Sequence, residues 1–164
     1  MSLKKGYFGA GCFWGVEYYF QKTKGVKKVV SGYMGGHMSN PGYRDICTGQ
    51  TGHYEVVEVT YDDSIVSFEE LVKLFFEIHN FTQENGQGPD LGSQYLSVIF
   101  YDDKDEKNVS LNIINILISK GYKVVTKLIS TLNTPFFKAE DYHQNYYNKT
   151  GKEPYCHSYK RIFN

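Results

Sequence analysis

Along His53 to Tyr61 polar and apolar positions alternate so that Glu55, Val57, Val59 and Tyr61 share one face, a period of two that predicts a β-strand. Lys4 to Gly9 reads as an earlier, shorter strand, and Val26 to Met34, rich in β-branched residues, as another. Tyr95 to Tyr101 and Tyr122 to Ser130 complete the strand set. The period changes after Ser67-Phe68-Glu69-Glu70, a capping box that opens a helix with an apolar stripe of Leu71, Leu74, Phe75 and Ile78. A second long helix is expected over Asp103 to Lys120, stopped by Gly121 where glycine commonly takes left-handed backbone. The apolar-periodic run Val16 to Phe20 and a short segment from Lys138 to Tyr147, after Pro135, supply the remaining helices. Strands and helices interleave throughout, which predicts an α/β (α+β) domain: a two-layer sandwich with helices packed on a mixed sheet.

The chain has 164 residues, enough for one domain spanning 1–164 that buries roughly two thirds of its unfolded surface. Eighteen Lys and Arg balance 18 Asp and Glu, so no net charge steers it to nucleic acid or an anionic membrane. No apolar run approaches the ~20 residues of a membrane span, because Asn112 and Asn115 interrupt the longest candidate, Leu111 to Ile118. The first residues lack the apolar segment of a secretory signal. Three cysteines in that setting predict a reducing, cytoplasmic compartment, where a disulfide is transient and catalytic rather than structural. No C-x-x-C or H-x-x-x-H pair links Cys12, Cys47, Cys156 and the histidines, so no metal or other cofactor is expected.

Gly11-Cys12-Phe13-Trp14-Gly15 is the most informative run. It places a thiol at a strand-to-helix junction, where the unpaired N–H groups of a helix N-terminus favour a thiolate. Phe13 and Trp14, the only tryptophan, give that thiol an apolar wall. The plainer reading of Cys12 is a buried, inert small hydrophobe. Two glycine- and tyrosine-rich loops, Gly32 to Arg44 and Gly86 to Tyr95, lack the spacing of a nucleotide site and are placed to overhang the same end of the sheet.

With these loops the chain resembles the A-type methionine sulfoxide reductases, a class that repairs oxidised methionine. The resemblance rests on Gly11-Cys12-Phe13-Trp14-Gly15, Gly32-Tyr33-x-Gly35-Gly36, Pro41-x-Tyr43-Arg44, Thr51-Gly52-His53-x-Glu55, Asp90-x-Gly92-x-Gln94-Tyr95 and Ala139-Glu140-Asp141-Tyr142-His143-Gln144. It implies a ferredoxin-like sandwich followed by a coil-like C-terminal tail, here about 148–164 and expected to be mobile. It implies reduction of the S-epimer of methionine sulfoxide, free or in peptides, by a monomer that thioredoxin restores. Cys12 is then the nucleophile, Glu55 the acid, and Tyr43 and Tyr95 hydroxyl donors. Asp90 lies near the substrate, and Phe13 and Trp14 hold its methyl group. Leu91 stands where some relatives carry histidine.

The chemistry wants these groups. A sulfoxide oxygen leaves badly while negative, so reduction needs a soft nucleophile at sulfur and a proton at oxygen. An ordinary glutamate, with a pKa of about 4.3, is ionised at neutral pH, so Glu55 needs an apolar site to keep its proton. Neutral phenols at Tyr43 and Tyr95 would stabilise charge developing on the oxygen. Oxygen transfer leaves a sulfenic acid on Cys12, with which a second thiol condenses. Cys156, in the polar run Gly151 to His157, and Cys47, near Tyr43, are both candidates; the resemblance favours Cys156. A thiol peroxidase or a non-catalytic binder of methionine peptides would share the cysteines or the aromatic pocket, but would not need Glu55 as an acid.

Overall fold

The first strand, β1 (Leu3–Ala10), sits in the middle of the sheet, bonded antiparallel to β3 (Tyr54–Asp62) on one side and to β6 (Ser97–Tyr101) on the other. The computed structural model describes residues 2–155 and 157–163. Beyond β3 lie β2 (Val26–Met34) and the short β8 (Phe137–Lys138), both antiparallel, while β7 (Lys127–Ser130) joins β6 in parallel. The six strands run in the order β7-β6-β1-β3-β2-β8, a mixed sheet.

Helices α1 (Phe13–Gln21), α3 (Phe68–Glu77) and α4 (Lys104–Ser119) supply the second layer. Phe8 of β1 shows why they share a face. Its ring stacks on Phe20 of α1 and Phe68 of α3 and leans on Phe75 of α3, at centroid distances of 5.1, 5.8 and 5.7 Å. Phe8, Phe20 and Phe75, each fully buried, contribute about 1.5–3 kcal/mol apiece. The alternation along β3 holds: Val57, Val59 and Tyr61 enter this main core, whereas Val56 joins Met34, Tyr54, Val98 and Phe100 on the opposite face. Both long helices start on the expected caps. Ser67 Oγ accepts the Glu70 N–H at 3.1 Å, and Asp103 Oδ1 accepts the Glu106 N–H at 2.8 Å. Among the described residues no helix is long and apolar enough to cross a membrane.

Three expectations change. Tyr122 to Ser130 is a strand only over β7; before it, Tyr122 packs its ring on Phe81 and Val125 N–H bonds the Phe81 carbonyl, so the segment follows the α3 exit instead of pairing. Tyr95 does not begin β6 but closes a 3-10 turn, Ser93–Tyr95. Lys138 to Tyr147 is not one helix. It begins in β8, makes a 3-10 turn at Asp141–His143, turns left-handed at Asn145 (φ 55°), and only then forms α5 (Tyr146–Thr150). Gln144 is the physical reason: its side-chain amide bonds both the N–H and the carbonyl of Ser31 in β2, tying the segment to the sheet edge. Periodicity also gave no sign of a five-residue helix, α2 (Tyr43–Cys47), or of the hairpin β4 (Gly86–Gln87) and β5 (Asp90–Leu91).

Candidate active site

Cys12 stands between the end of β1 and the start of α1, as the N-cap residue of the helix. Gly11 makes the turn with φ +97°, and a Cβ there would lie 2.6 Å from Gln87 Cβ. The thiol residue is 7% exposed and so is largely withdrawn from water. Glu55 reaches it from β3. That side chain is 1% exposed, and its Oε1 accepts the N–H of Phe13 at 3.2 Å, which sets the carboxyl at the first turn of α1 beside Cys12.

Tyr43 and Tyr95 arrive from different loops. Burial pushes the Tyr43 phenol well above its ordinary pKa, and the nearby Tyr95 and Glu55 push it further. Burial raises the Tyr95 phenol too, followed by the charges of Glu55, Cys12 and Asp90. One electrostatic neighbourhood therefore holds Cys12, Glu55, Tyr43, Tyr95 and Asp90. Raised phenols stay protonated, hence donors, at any pH near neutral. Asp90, on β5, accepts the Tyr155 hydroxyl on both carboxylate oxygens, at 3.0 and 3.1 Å.

The aromatic pair divides its work. Phe13 turns into the core, 1% exposed, with its ring 5.6 Å from Tyr33 and 5.1 Å from His143. Trp14 stays half-buried, stacked on Tyr146 at 3.7 Å with 3° between the planes. Its indole N–H donates to Nδ1 of His143 at 3.0 Å. Burial holds the His143 imidazole below its ordinary pKa, against the pull of Glu140, so neutral imidazole is the resting acceptor.

Glu140 is a supporting residue that sequence reasoning quoted but gave no role. It accepts the Tyr33 hydroxyl at 2.9 Å and the Tyr43 N–H at 2.9 Å, fixing the start of α2 against β2. Burial opposes its charge, yet the Tyr43 N–H and the Tyr33 hydroxyl prevail and hold its carboxyl below the usual range. Tyr146 and His157 also escaped the sequence reading, because neither belongs to a hydrophobic period. His157 places its ring against Gly11 and Gly15, where a Cβ on Gly15 would come within 2.2 Å of Nδ1. Of the two candidate second thiols, Cys47 is exposed at the end of α2, and Cys156 lies outside the described residues.

Known proteins match the chain along most of its length. The family model described as peptide methionine sulfoxide reductase matches residues 4–163. A peptide methionine sulfoxide reductase MsrA of Nautilia profundicola is 48% identical over 154 residues, covering 94% of this chain and 88% of its own length. The crystal structure of Mxr1 from Saccharomyces cerevisiae in reduced form superposes with a TM-score of 0.86 at 31% identity, covering 97% of this chain and 93% of that one. Mxr1 in complex with Trx2 shares the fold at 20% identity and a TM-score of 0.64, covering 97% of this chain and 91% of that one. The matched residues run from β1 to the C-terminal segment and include every residue gathered around Cys12, and the chain belongs to the peptide methionine sulfoxide reductase family, oxidoreductases that return methionine sulfoxide to methionine.

Proposed function

We propose that this enzyme reduces the S-epimer of methionine sulfoxide, free and protein-bound, with Cys12 as nucleophile and Glu55 as acid. The observation that carries the reading is the bond from Phe13 N–H to Glu55 Oε1, which brings a buried carboxyl to the helix end that Cys12 caps. The Cys12 thiolate, favoured by the first-turn N–H groups of α1, attacks the sulfoxide sulfur. Glu55, in its protonated form, gives the oxygen its proton while the Tyr43 and Tyr95 hydroxyls stabilise the charge growing there. The attack forms an S–S bond; the protonated oxygen then passes as hydroxyl from the methionine sulfur to the Cys12 sulfur, the S–O bond to methionine and the S–S bond break, and Cys12 is left as a sulfenic acid, oxidised by two electrons, as the reduced methionine leaves. Phe13 and Trp14 seat the methyl group, and Asp90 meets the substrate at the rim.

Three fixed points make the site chiral. With sulfur at Cys12, oxygen toward Glu55 and the tyrosines, and methyl against Trp14, the rest of the substrate has one exit, so only one hand fits. The family resemblance assigns the S-epimer.

Recycling follows through Cys156. Its thiol condenses with the sulfenic acid, and thioredoxin reduces the resulting disulfide. Trx2 binding by yeast Mxr1 supports a thioredoxin as the donor. On this reading residues 1–164 form one catalytic domain, acting as a monomer in the cytoplasm, whose last segment from about 148 leaves its docked position when the donor arrives. Dabsyl-methionine S-sulfoxide, its R-epimer and hydrogen peroxide, each offered with dithiothreitol, test the specificity. Turnover of the S-epimer alone is expected, and equal consumption of both epimers would sink it. Cys156→Ser is expected to give one stoichiometric turnover and no thioredoxin-driven cycle, whereas Cys47→Ser retains both; the reverse pattern would transfer the resolving role to Cys47.

A further inference from the structure

The last described residues lie as a strap along the end of α3, and four of their donors converge on one residue. Glu77 closes α3 and is 8% exposed. Its Oε2 accepts the N–H groups of Ile162 and Phe163 at 2.8 and 3.1 Å, and its Oε1 accepts the Tyr159 hydroxyl at 3.4 Å. Its own carbonyl accepts the Lys160 N–H at 2.8 Å. The strap has a second fixing point upstream. There the His157 ring fills the notch at Gly11 and Gly15 and bonds the Ala10 carbonyl, while Tyr155 bonds Asp90. These two side chains flank position 156 in the sequence. Between the fixing points a cleft of about 430 Å³, lined by Phe76, His79, Phe81, Tyr122, Ser158 and Lys160, separates the strap from the helical layer. Ile162 and Phe163 pack against the main core, and the bonds to Glu77 fix the register in which they dock.

We propose that Glu77 is a positioning residue for the recycling half of the reaction: it fixes the strap so that the thiol within it meets the oxidised Cys12 at high local concentration. The inference rests on Cys156 being the resolving thiol. In the step it serves, an S–S bond forms and the S–O bond of the sulfenic acid breaks. The hydroxyl leaves as water with the proton of the Cys156 thiol, the Cys12 sulfur is reduced and the Cys156 sulfur oxidised. Glu77 touches none of these atoms and acts through residues 159–163.

The test mixes the reduced full chain with one equivalent of methionine sulfoxide and follows methionine, free thiols and dimedone-trapped sulfenic acid against time. Glu77→Ala is expected to form methionine at the wild-type rate but to lose thiols at least tenfold more slowly, with sulfenic acid accumulating. Glu77→Gln, whose amide oxygen still accepts the two backbone N–H groups, recovers most of that loss. Ile162→Pro deletes the closer of the two backbone donors to the Glu77 carboxylate from the strap side and leaves α3 untouched, so it gives the same split even where Glu77→Ala fails to fold. Wild-type thiol loss in both Glu77→Ala and Ile162→Pro overturns the inference, and so does equal slowing of methionine formation and thiol loss. The Cys156→Ser control separates the two levels. If it loses thiols at the wild-type rate, the resolving role of Cys156 falls and the Glu77 inference with it. If it stops thiol loss while Glu77→Ala does not slow it, only the Glu77 inference falls.

Discussion

The indole N–H of Trp14 donates to Nδ1 of His143 at 3.0 Å, so the orientation of the only tryptophan depends on an imidazole that must stay neutral to accept it. Imidazolium has no free acceptor, and protonation would release the indole. Because burial lowers the His143 pKa, release belongs below the ordinary 6.5, with Glu140 working against it. Trp14 fluorescence is expected to change on acidification with a midpoint below 6.5, accompanied by a rise in KM. The change should vanish in His143→Gln; a midpoint at or above 6.5, or persistence in that variant, would disconnect the two residues.

Glu55→Gln keeps an acceptor for the Phe13 N–H but cannot deliver an acidic proton. Loss of general-acid assistance typically costs about 10²–10⁴-fold in rate. Single-turnover methionine formation is expected to slow within that range, while the melting temperature moves little. A variant as fast as wild type would remove Glu55 from the acid role.

His79 makes stability sensitive to acid. Its Nδ1 lies 2.6 Å from the Phe75 carbonyl and its Nε2 2.8 Å from Ser97 Oγ, so the neutral ring donates at one nitrogen and accepts at the other. Burial lowers its pKa from 6.5 to about 3. Between those values the unfolded chain binds the proton and the folded chain does not, so this contribution is intact above 6.5 and falls as pH drops toward 3. At ~1.4 kcal/mol per pH unit the loss is up to about 2 kcal/mol by pH 5. Denaturant melts at pH 7.5 and pH 5 measure it, and His79→Gln is expected to narrow the gap; an unchanged gap would assign the acid sensitivity elsewhere.

Gly15 and His157 form a steric pair. With a Cβ only 2.2 Å from His157 Nδ1, Gly15→Ala must push the ring out of its notch, an overpacking that typically costs about 1–3 kcal/mol. His157→Ala should relieve most of that cost. A double-mutant cycle with no coupling between the two positions would contradict the contact.

Sequence patterning located what repeats and missed what does not. The strand Val26 to Met34 is rich in β-branched residues and the helices opening at Ser67 and Asp103 carry local caps, so these elements match the structure closely. The positions of Cys12 and Glu55 were legible for a related reason, one at a strand-to-helix junction and the other on the alternating face of β3, whereas the roles proposed for them came from the family resemblance. The partners that orient the site were hidden. Glu140, His143 and Tyr146 act across the sheet on Tyr33, Tyr43 and Trp14, contacts more than 90 residues apart in sequence that no local pattern encodes. Gln144 shows the same limit from the other side, since its bonds to Ser31 replace the helix that its own neighbourhood suggested.

The position of β1 has one more consequence. A strand paired on both sides exchanges its amide hydrogens only through the largest openings of the molecule, whereas a terminal strap outside the sheet, held by bonds to one carboxylate and by two partly buried side chains, opens more readily. Amide exchange is therefore expected to be slowest around Phe8 and Ala10 and much faster along residues 159–163. On the proposed mechanism Cys12 is mounted at the end of the slowest-opening strand while residues 159–163 open fast, so the enzyme would renew itself by local unfolding without loosening the site that does the chemistry.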